Sequence, residues 1–189
     1  MKTGNKILFG STLIAAGATA LLLKSRSAIP KNVKAIENFD VERYLGTWYE
    51  IARFDYSFER NIDNAIAQYS LGENGIVKVR NSGFNYKKGK WISANGIAKF
   101  RQARHIAALK VSFFGPFYAG YNVVALEDNY QYALVVGRSL KYLWILSRTK
   151  DIPEKIKKDY LRIAAGIGYD TSKLIWVKHN KINPYVEKK

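Results

Sequence analysis

From Phe39 onward, short strand-like segments alternate with turn residues at nearly regular intervals, and this spacing constrains the fold more than any other feature. Each segment is rich in aromatic and β-branched residues, and turns such as 72–75 (GENG) and Gly115-Pro116 separate them. The predicted strands are 46–54, 64–71, 75–82, 91–101, 106–114, 118–127, 131–138 and 142–149. Because the connections after the first are short, consecutive strands must run antiparallel. About eight such strands close most naturally into an up-and-down barrel without exposed edges.

The hydrophobic period changes after residue 149, where apolar residues recur at helical spacing: Ile152, Ile156, Tyr160 and Ile163. This stripe predicts one helix packed against the outside of the barrel. Asp151 and Glu154 stand at capping-box positions, and Gly166 is the predicted stop. A short strand at 174–177 is expected to pair back onto the barrel edge. The predicted fold class is therefore all-β: an eight-stranded antiparallel barrel with a carboxyl-terminal helix outside.

The amino-terminal segment differs in kind from the rest of the chain. Lys2 and Lys6 precede an uncharged run over 7–23, which as a hydrophobic helix would be about 25 Å long, at the short end of what crosses a bilayer. An uncleaved membrane anchor fits this run, and so does a signal peptide with a small-residue cleavage pattern at 18–20 (ATA); a soluble helix is the third alternative. More positive charge follows the run than precedes it, which favours a cytoplasmic carboxyl side if nothing is cleaved.

The predicted organisation has four parts. A signal or anchor segment occupies 1–28, a basic, extended linker 29–38, the barrel domain 39–178 and a basic tail 179–189, whose end is expected to be disordered. A chain of 189 residues needs only one folded domain, which is long enough to bury a real core.

Composition and charge exclude several function classes. The chain has no cysteine, which rules out disulfides, thiolate nucleophiles, cysteine-based zinc sites and lipid attachment through a cysteine. The formal net charge of +16 favours contact with anionic lipid headgroups or nucleic acid. Basic residues are scattered along the whole chain, however, and no nucleic-acid-binding motif accompanies them, so no nucleic acid is expected as a partner.

No catalytic constellation is found in the sequence. The two histidines, His105 and His179, stand in no metal-ligand spacing, and no serine lies in a G-x-S-x-G motif. The carboxylate pair Glu127-Asp128 falls in a predicted turn, where a solvated hairpin tip is the simpler interpretation. We therefore expect no enzyme activity, no metal and no cofactor.

Several blocks of the sequence together resemble a known family. Gly46-Thr47-Trp48 precedes "YEIARF", the segment 132–137 reads "YALVVG", and Arg148 lies in "YLWILSRT". With the longer runs "LGTWYEIARFDYSFER" and "ALKVSFFGPFYAGYNVVAL", these blocks resemble the lipocalins, specifically the bacterial outer-membrane lipoprotein type, over residues 38 to 178. The lipoprotein members carry a lipid-modified cysteine after the signal, and this chain departs from them by having none.

The resemblance implies a role for the opening motif. Gly46 and Trp48 correspond to the family's barrel floor, and Arg148 to the arginine that lies across this tryptophan from the last strand. A guanidinium over an indole face makes a favourable cation–π contact. Glu50 shares the parity of Trp48 and is expected to begin facing the interior, where Arg148 or a tyrosine hydroxyl would have to satisfy it.

With Trp48 and Arg148 taken as inward, strand parity and block matching predict the ligand-binding residues of the calyx: Ala52, Phe54, Tyr69, Trp91, Phe113, Tyr121, Trp144 and Leu146. Ordinary core packing is the alternative for Tyr69, Trp91 and Phe113. The resemblance implies a fatty acid or lysophospholipid as ligand, bound for storage or transport at the bacterial cell envelope. The protein would be periplasmic or attached to the membrane through 7–23 or its basic surface. The alternative is a membrane-anchored structural protein of the envelope with a filled barrel and no ligand.

Overall fold

A computed structural model describes residues 28–56 and 59–186, so the predicted helix at 7–23 lies outside the described residues. A short helix α1 (Val41–Tyr44) leads into the sheet, and a longer helix α2 (Glu154–Ile167) follows its eighth strand. The strands of the described chain are β1 (Gly46–Arg53), β2 (Ile62–Leu71), β3 (Val77–Asn85), β4 (Lys90–Phe100), β5 (Ala108–Phe114), β6 (Phe117–Leu126), β7 (Tyr132–Val136), β8 (Leu143–Ser147) and β9 (Ile175–Trp176).

The first eight strands form a closed antiparallel barrel, which confirms the predicted up-and-down topology. Each strand pairs with its neighbours in sequence order, and β1 pairs with both β2 and β8 to close the sheet. The pairings of β1 show that the barrel is closed: Gly46 lies opposite Tyr69 on β2, and Tyr49 lies opposite Ser147 on β8. The short strand β9 pairs with the end of β1, close to where it was expected.

Strand β1 contains a bulge at Ile51 that a simple alternation does not predict. Glu50 lies opposite Leu146, but Ala52 lies opposite Ile145, so β1 has one residue more than β8 over this stretch. Ile51 and Ala52 both pack in the cluster beneath α2, outside the barrel. Beyond the bulge the inward position falls on Arg53, whose guanidinium reaches back to Glu50.

Helix α2 covers the outer face of the barrel with the predicted apolar stripe. Tyr160 and Ala164 are fully buried there, in one cluster with Leu134 and Ile145 of the sheet. The predicted ends are wrong: Pro153 is the N-cap without a side-chain hydrogen bond, and the helix stops at Gly168 rather than Gly166. Gly168 has φ 108°, a left-handed conformation that favours glycine and lets its N–H bond the last carbonyls.

The segments flanking the barrel domain pack against its outer surface. The Ile36 N–H of the predicted linker donates to Val123 O at 2.9 Å, and Asn122 Nδ2 donates to the backbone oxygen of Ala28, just before that linker, at 2.7 Å. The described part of the tail is fixed in the same way: the Lys181 N–H donates to Asn64 Oδ1 at 2.7 Å. These hydrogen bonds hold both flanking segments against the barrel, and residue composition alone does not predict that packing.

The two ends of the barrel are built differently. The floor is formed by α1 and the connections 72–76, 101–107 and 127–131. The mouth is formed by the described parts of connection 54–61 and by 86–89, 115–116 and 137–142. Among the helices of the described residues, none combines the length and apolarity that crossing a bilayer requires.

Candidate binding cavity

The floor of the barrel is closed by Trp48, whose ring is completely buried. The indole Nε1 donates to Tyr44 O at 2.8 Å, and the Arg148 guanidinium lies 3.9 Å from the indole centroid. The predicted contact between Arg148 and Trp48 is therefore formed. The same guanidinium also donates to Thr47 O at 3.0 Å, which fixes the arginine to the backbone. Gly46 has φ 93° beneath the arginine, which explains the glycine of the opening motif.

Above this floor the barrel encloses a cavity of about 560 Å³ that is open at the mouth. This volume lies in the range of roughly 300–1,000 Å³ that is typical of small-molecule sites. Most of the wall is apolar and comes from β2 to β6 and from the segment around α1, including Val41, Leu45, Ala67, Val77, Val79, Ile92, Ala98, Leu109 and Val111. The interior is therefore hollow rather than filled by side chains.

Three tyrosine hydroxyls meet at the inner end of the cavity. Tyr121 OH lies 2.8 Å from Tyr44 OH and 2.8 Å from Tyr69 OH, so the central hydroxyl bridges the other two. Burial raises the pKa of all three phenols, which keeps the cluster uncharged. An uncharged hydroxyl cluster offers both donors and acceptors to a polar atom of a ligand.

A charged cluster forms a second polar region on the β1 side of the cavity. Glu50 and Glu59 both line the cavity, and Arg53 lies between them. Arg53 Nη1 donates to Glu50 Oε1 at 2.8 Å, and its Nε lies 3.7 Å from Glu59 Oε2. Tyr56 OH donates to Glu59 Oε2 at 2.5 Å, and the Trp144 indole donates to the same oxygen at 3.4 Å.

The buried carboxyl group of Glu50 and the largely buried one of Glu59 therefore share one guanidinium. Burial, followed by the nearby charge of Glu59, raises the pKa of Glu50 from its ordinary 4.5 to about 8, against the opposing effect of Arg53. Burial also raises the pKa of Glu59. The pair therefore retains a proton near neutral pH, which lowers the cost of enclosing two carboxyl groups in an apolar cavity.

Five of the predicted ligand-binding residues lie on the cavity wall: Tyr69, Phe113, Tyr121, Trp144 and Leu146. The alternation of β8 placed Trp144 and Leu146 correctly because its pairing with β7 is regular. Whether these residues contact a ligand stays a prediction.

The other three predicted wall residues face away from the cavity. Ala52 and Phe54 pack outside the barrel, where Phe54 stacks on Tyr169 with ring centroids 5.6 Å apart, because the bulge at Ile51 reverses the parity of β1. Trp91 lies opposite Phe84 and contacts its ring edge-on. Since Val79 and its partner Gly96 face the interior, the register of β3 and β4 turns Trp91 outward.

Sequence reasoning missed the charged cluster almost entirely. Parity correctly placed Glu50 in the interior, but its partner is Arg53 rather than Arg148 or a tyrosine hydroxyl. Arg53 stands three residues after Glu50, and in a regular strand two residues at this spacing lie on opposite faces. Only the bulge brings Arg53 to the inner face with Glu50. Glu59 lies in a connection, where a carboxylate is usually solvated, so no local pattern identified it.

The residues considered for catalysis have structural contacts. The side chain of His179 bonds the backbone oxygen of Glu50 at 2.8 Å through Nε2. Glu127 is not a merely solvated turn residue, since Tyr160 OH of α2 donates to its Oε1 at 3.1 Å. Within 28–56 and 59–186, no group of three or more histidine, aspartate or glutamate side chains could hold a metal ion.

Comparison with known proteins identifies the family. A family profile described as "Lipocalin-like domain" matches residues 39–179. The chain belongs to the lipocalin family. The outer membrane lipoprotein Blc of Escherichia coli (strain K12) is 50% identical to this lipocalin over 168 residues, which cover 88% of this chain and 95% of the relative. The Blc lipoprotein of Vibrio cholerae serotype O1 is 41% identical over 160 residues, covering 84% and 94%.

Solved structures share the fold of this lipocalin at low sequence identity. Insecticyanin from the tobacco hornworm Manduca sexta superposes with a TM-score of 0.64 at 21% identity, covering 85% of this chain and 89% of the insect protein. The cockroach allergen Per a 4 gives a TM-score of 0.63 at 20% identity, covering 80% and 95%. These matches agree with the closed barrel and outer helix. Family membership, together with the hollow interior, implies a small hydrophobic ligand.

Proposed function

We propose that this lipocalin binds a fatty acid or a lysophospholipid in its barrel cavity and stores or transports it at the cell envelope. The observation that carries the proposal is the hollow, mostly apolar cavity of about 560 Å³ with its two polar regions. An acyl chain gains about 0.8 kcal/mol per buried methylene from such a wall. The tyrosine cluster and the Glu50–Arg53–Glu59 cluster supply polar contacts for one end of the ligand.

The proposed location rests on the bacterial relatives, which are named outer membrane lipoproteins. We extend a cell-envelope location to this chain, with residues 7–23 acting either as a membrane anchor or as a signal that is removed to leave a periplasmic protein. Attachment through an acylated cysteine is not part of the proposal, because the chain has no cysteine. We also propose binding without catalysis, since the cavity groups described above are explained by packing and mutual hydrogen bonds.

The alternative to lipid binding is a structural envelope protein with a filled barrel. It requires side chains to occupy the interior, whereas the described barrel is hollow from Trp144 near the mouth to the tyrosines above the floor. Nucleic-acid binding would use the basic surface instead and would weaken steeply as salt rises. Binding of a lipid inside the cavity should depend much more on acyl-chain length than on salt.

The direct test is to identify what the purified full-length protein carries, by native mass spectrometry and by extraction of bound lipid. A matched pair of variants on β4 adds a control: Ala94→Trp places an indole in the cavity, and Asn95→Trp places it on the outer face. We expect a co-purified single-chain lipid with the unmodified chain and with Asn95→Trp, and much less with Ala94→Trp. Equal lipid content in both variants, or none in any chain even after oleate or lysophospholipid is added, would overturn the proposal.

A further inference from the structure

Large apolar side chains are unusually exposed around the mouth of the barrel. Eight are exposed in the described chain, and five of them belong to the mouth connections or the strand ends beside them: Tyr86, Phe114, Phe117, Tyr118 and Leu140. Phe114 and Phe117 face each other across the β5–β6 turn and leave 77% and 79% of their surface in water. Such a concentration at one end marks an interaction surface rather than scattered surface residues.

The charge of the same end is strongly positive. The β5–β6 turn (114–118) is called the aromatic turn below. The mouth connections and strand ends around it carry five cations: Lys87, Lys88, Lys90, Arg138 and Lys141. The two carboxylates of the mouth connections do not offset these cations, since Asp55 pairs with Arg60 at 3.4 Å and Glu59 lies within the cavity cluster around Arg53. Asp63, at the start of β2, accepts a hydrogen bond from the Lys178 N–H at 3.4 Å. The floor connections are mixed in sign, with Glu73, Glu127 and Asp128 beside Arg101 and Arg104.

The aromatic turn is also continuous with the cavity. Phe114, Phe117 and Tyr118 belong to the cavity wall while their outer surfaces face solvent, so an acyl chain leaving the barrel would pass along them. Aromatic side chains with an adjacent ring of lysine and arginine match the chemistry of an anionic bilayer surface, in which rings enter the interface and cations remain at the headgroups.

We propose that the mouth docks on an anionic lipid bilayer, with the β5–β6 turn (114–118) entering the interface and the cations of the mouth connections contacting the headgroups. This deepens the function proposed above and rests on it, because docking by the mouth places the cavity entrance at the membrane that supplies or receives the lipid. Binding energy comes from two sources that experiment separates: the aromatic turn and the salt-sensitive cations.

The absence of cysteine permits a test in which one introduced thiol reports one position. Phe117→Cys in the full-length chain, labelled with an environment-sensitive nitrobenzoxadiazole dye, places the reporter at the mouth. Gln102→Cys places it in an exposed floor connection without changing the charge. The two chains share residues 1–27, so any contribution of that segment to membrane binding is the same in both. Each is mixed with vesicles that contain phosphatidylglycerol, or with vesicles of phosphatidylcholine alone.

We expect a blue shift and quenching by brominated lipid for the label at position 117 with phosphatidylglycerol vesicles, both reduced by salt, and neither for the label at position 102. Lys87→Gln with Lys88→Gln should weaken binding to these vesicles about thirtyfold. Equal responses at the two positions, or none at position 117, would overturn the proposal. A shift at position 117 that needs only a higher protein concentration, without vesicles, would assign the surface to a second copy of the chain and also overturn it.

Lipid retention measured on the same variants by native mass spectrometry separates the two proposals. Retained lipid without a response at position 117 would contradict docking and leave lipid binding in place. A response at position 117 with no lipid in the cavity would contradict the proposed function and leave the membrane-docking surface.

Discussion

At the scale of single residues, the trio of Glu50, Arg53 and Glu59 has the largest consequence, because a buried and a largely buried carboxyl group share one guanidinium. The raised pKa of Glu50 means that the folded protein holds a proton that the unfolded chain releases between pH 4.5 and about 8. The contribution of Glu50 to stability is therefore fully present below pH 4.5 and is lost as the pH rises through about 8.

Glu50→Gln should remove this pH dependence, since an amide does not titrate. We expect the free energy of unfolding of the variant, relative to that of the unmodified protein, to increase between pH 5 and pH 9, whatever its offset from the lost ion pair. Denaturant unfolding across this pH range measures the difference, and Glu73→Gln in an exposed floor turn is the control. A difference for Glu50→Gln that stays constant with pH would show that Glu50 is already ionised throughout.

Trp48 and Arg148 test the floor at the same scale. Trp48→Ala should lower the free energy of unfolding by roughly 3–5 kcal/mol, as expected for a fully buried large aromatic residue. Arg148→Ala should cost less, because part of its surface is exposed and water can solvate the carbonyls that it leaves. Denaturation midpoints measure both, with Lys87→Ala as the exposed control. A Trp48→Ala midpoint no lower than that of the control would contradict the assigned floor.

At the scale of elements, strand positions and side-chain orientations were predicted correctly where a strand alternates regularly. Orientations were predicted wrongly where the pairing register shifts. The strand and turn pattern gave all eight barrel strands, and β8 gave two wall residues correctly. In the segment "YEIAR" the alternation is broken only by the adjacent apolar residues Ile51 and Ala52. That pair alone does not distinguish a bulge from a strand buried on both faces, and the pairing with β8 decides it. The outward position of Trp91 depends on the β3–β4 register, and the position of Glu59 on the cavity wall depends on how a connection folds into the barrel. Neither can be predicted from the local sequence.

Helix α2 is tied to the barrel by the hydrogen bond from Tyr160 to Glu127. Tyr160→Phe removes only the hydroxyl and leaves the buried ring, so it should lower the free energy of unfolding by about 1 kcal/mol. Tyr132→Phe, which removes the hydroxyl of a half-buried tyrosine on β7, is a comparison of the same chemical change. Lipid retention should be unchanged in both because α2 lies outside the cavity. A loss of bound lipid in Tyr160→Phe would mean that the helix controls the cavity.

At the scale of the whole molecule, residues 28–38 are part of the folded unit in the structure, since Ala28 and Ile36 bond to the barrel. We expect the full-length protein to sediment with membranes even in high salt, because the long apolar run lies at 7–23. A chain lacking residues 1–26 should fold and be released into the supernatant by high salt, which weakens docking by the mouth. Fractionation measures this, and the intact mass of the mature protein separates a retained anchor from a cleaved signal. A truncated chain that fails to fold would show that residues 1–26 are needed by the barrel.

The central claim is that the cavity binds a single-chain lipid, and titration of tryptophan fluorescence with a lysophospholipid tests it most directly. Trp144 lies on the cavity wall and Trp91 on the outer face, so Trp144→Phe and Trp91→Phe form a matched pair. We predict a saturable emission change with micromolar affinity for a long acyl chain and weaker binding for a short one. The change should persist in Trp91→Phe and be lost in Trp144→Phe. No saturable change in the unmodified protein, or a change lost only in Trp91→Phe, would contradict a lipid-binding cavity.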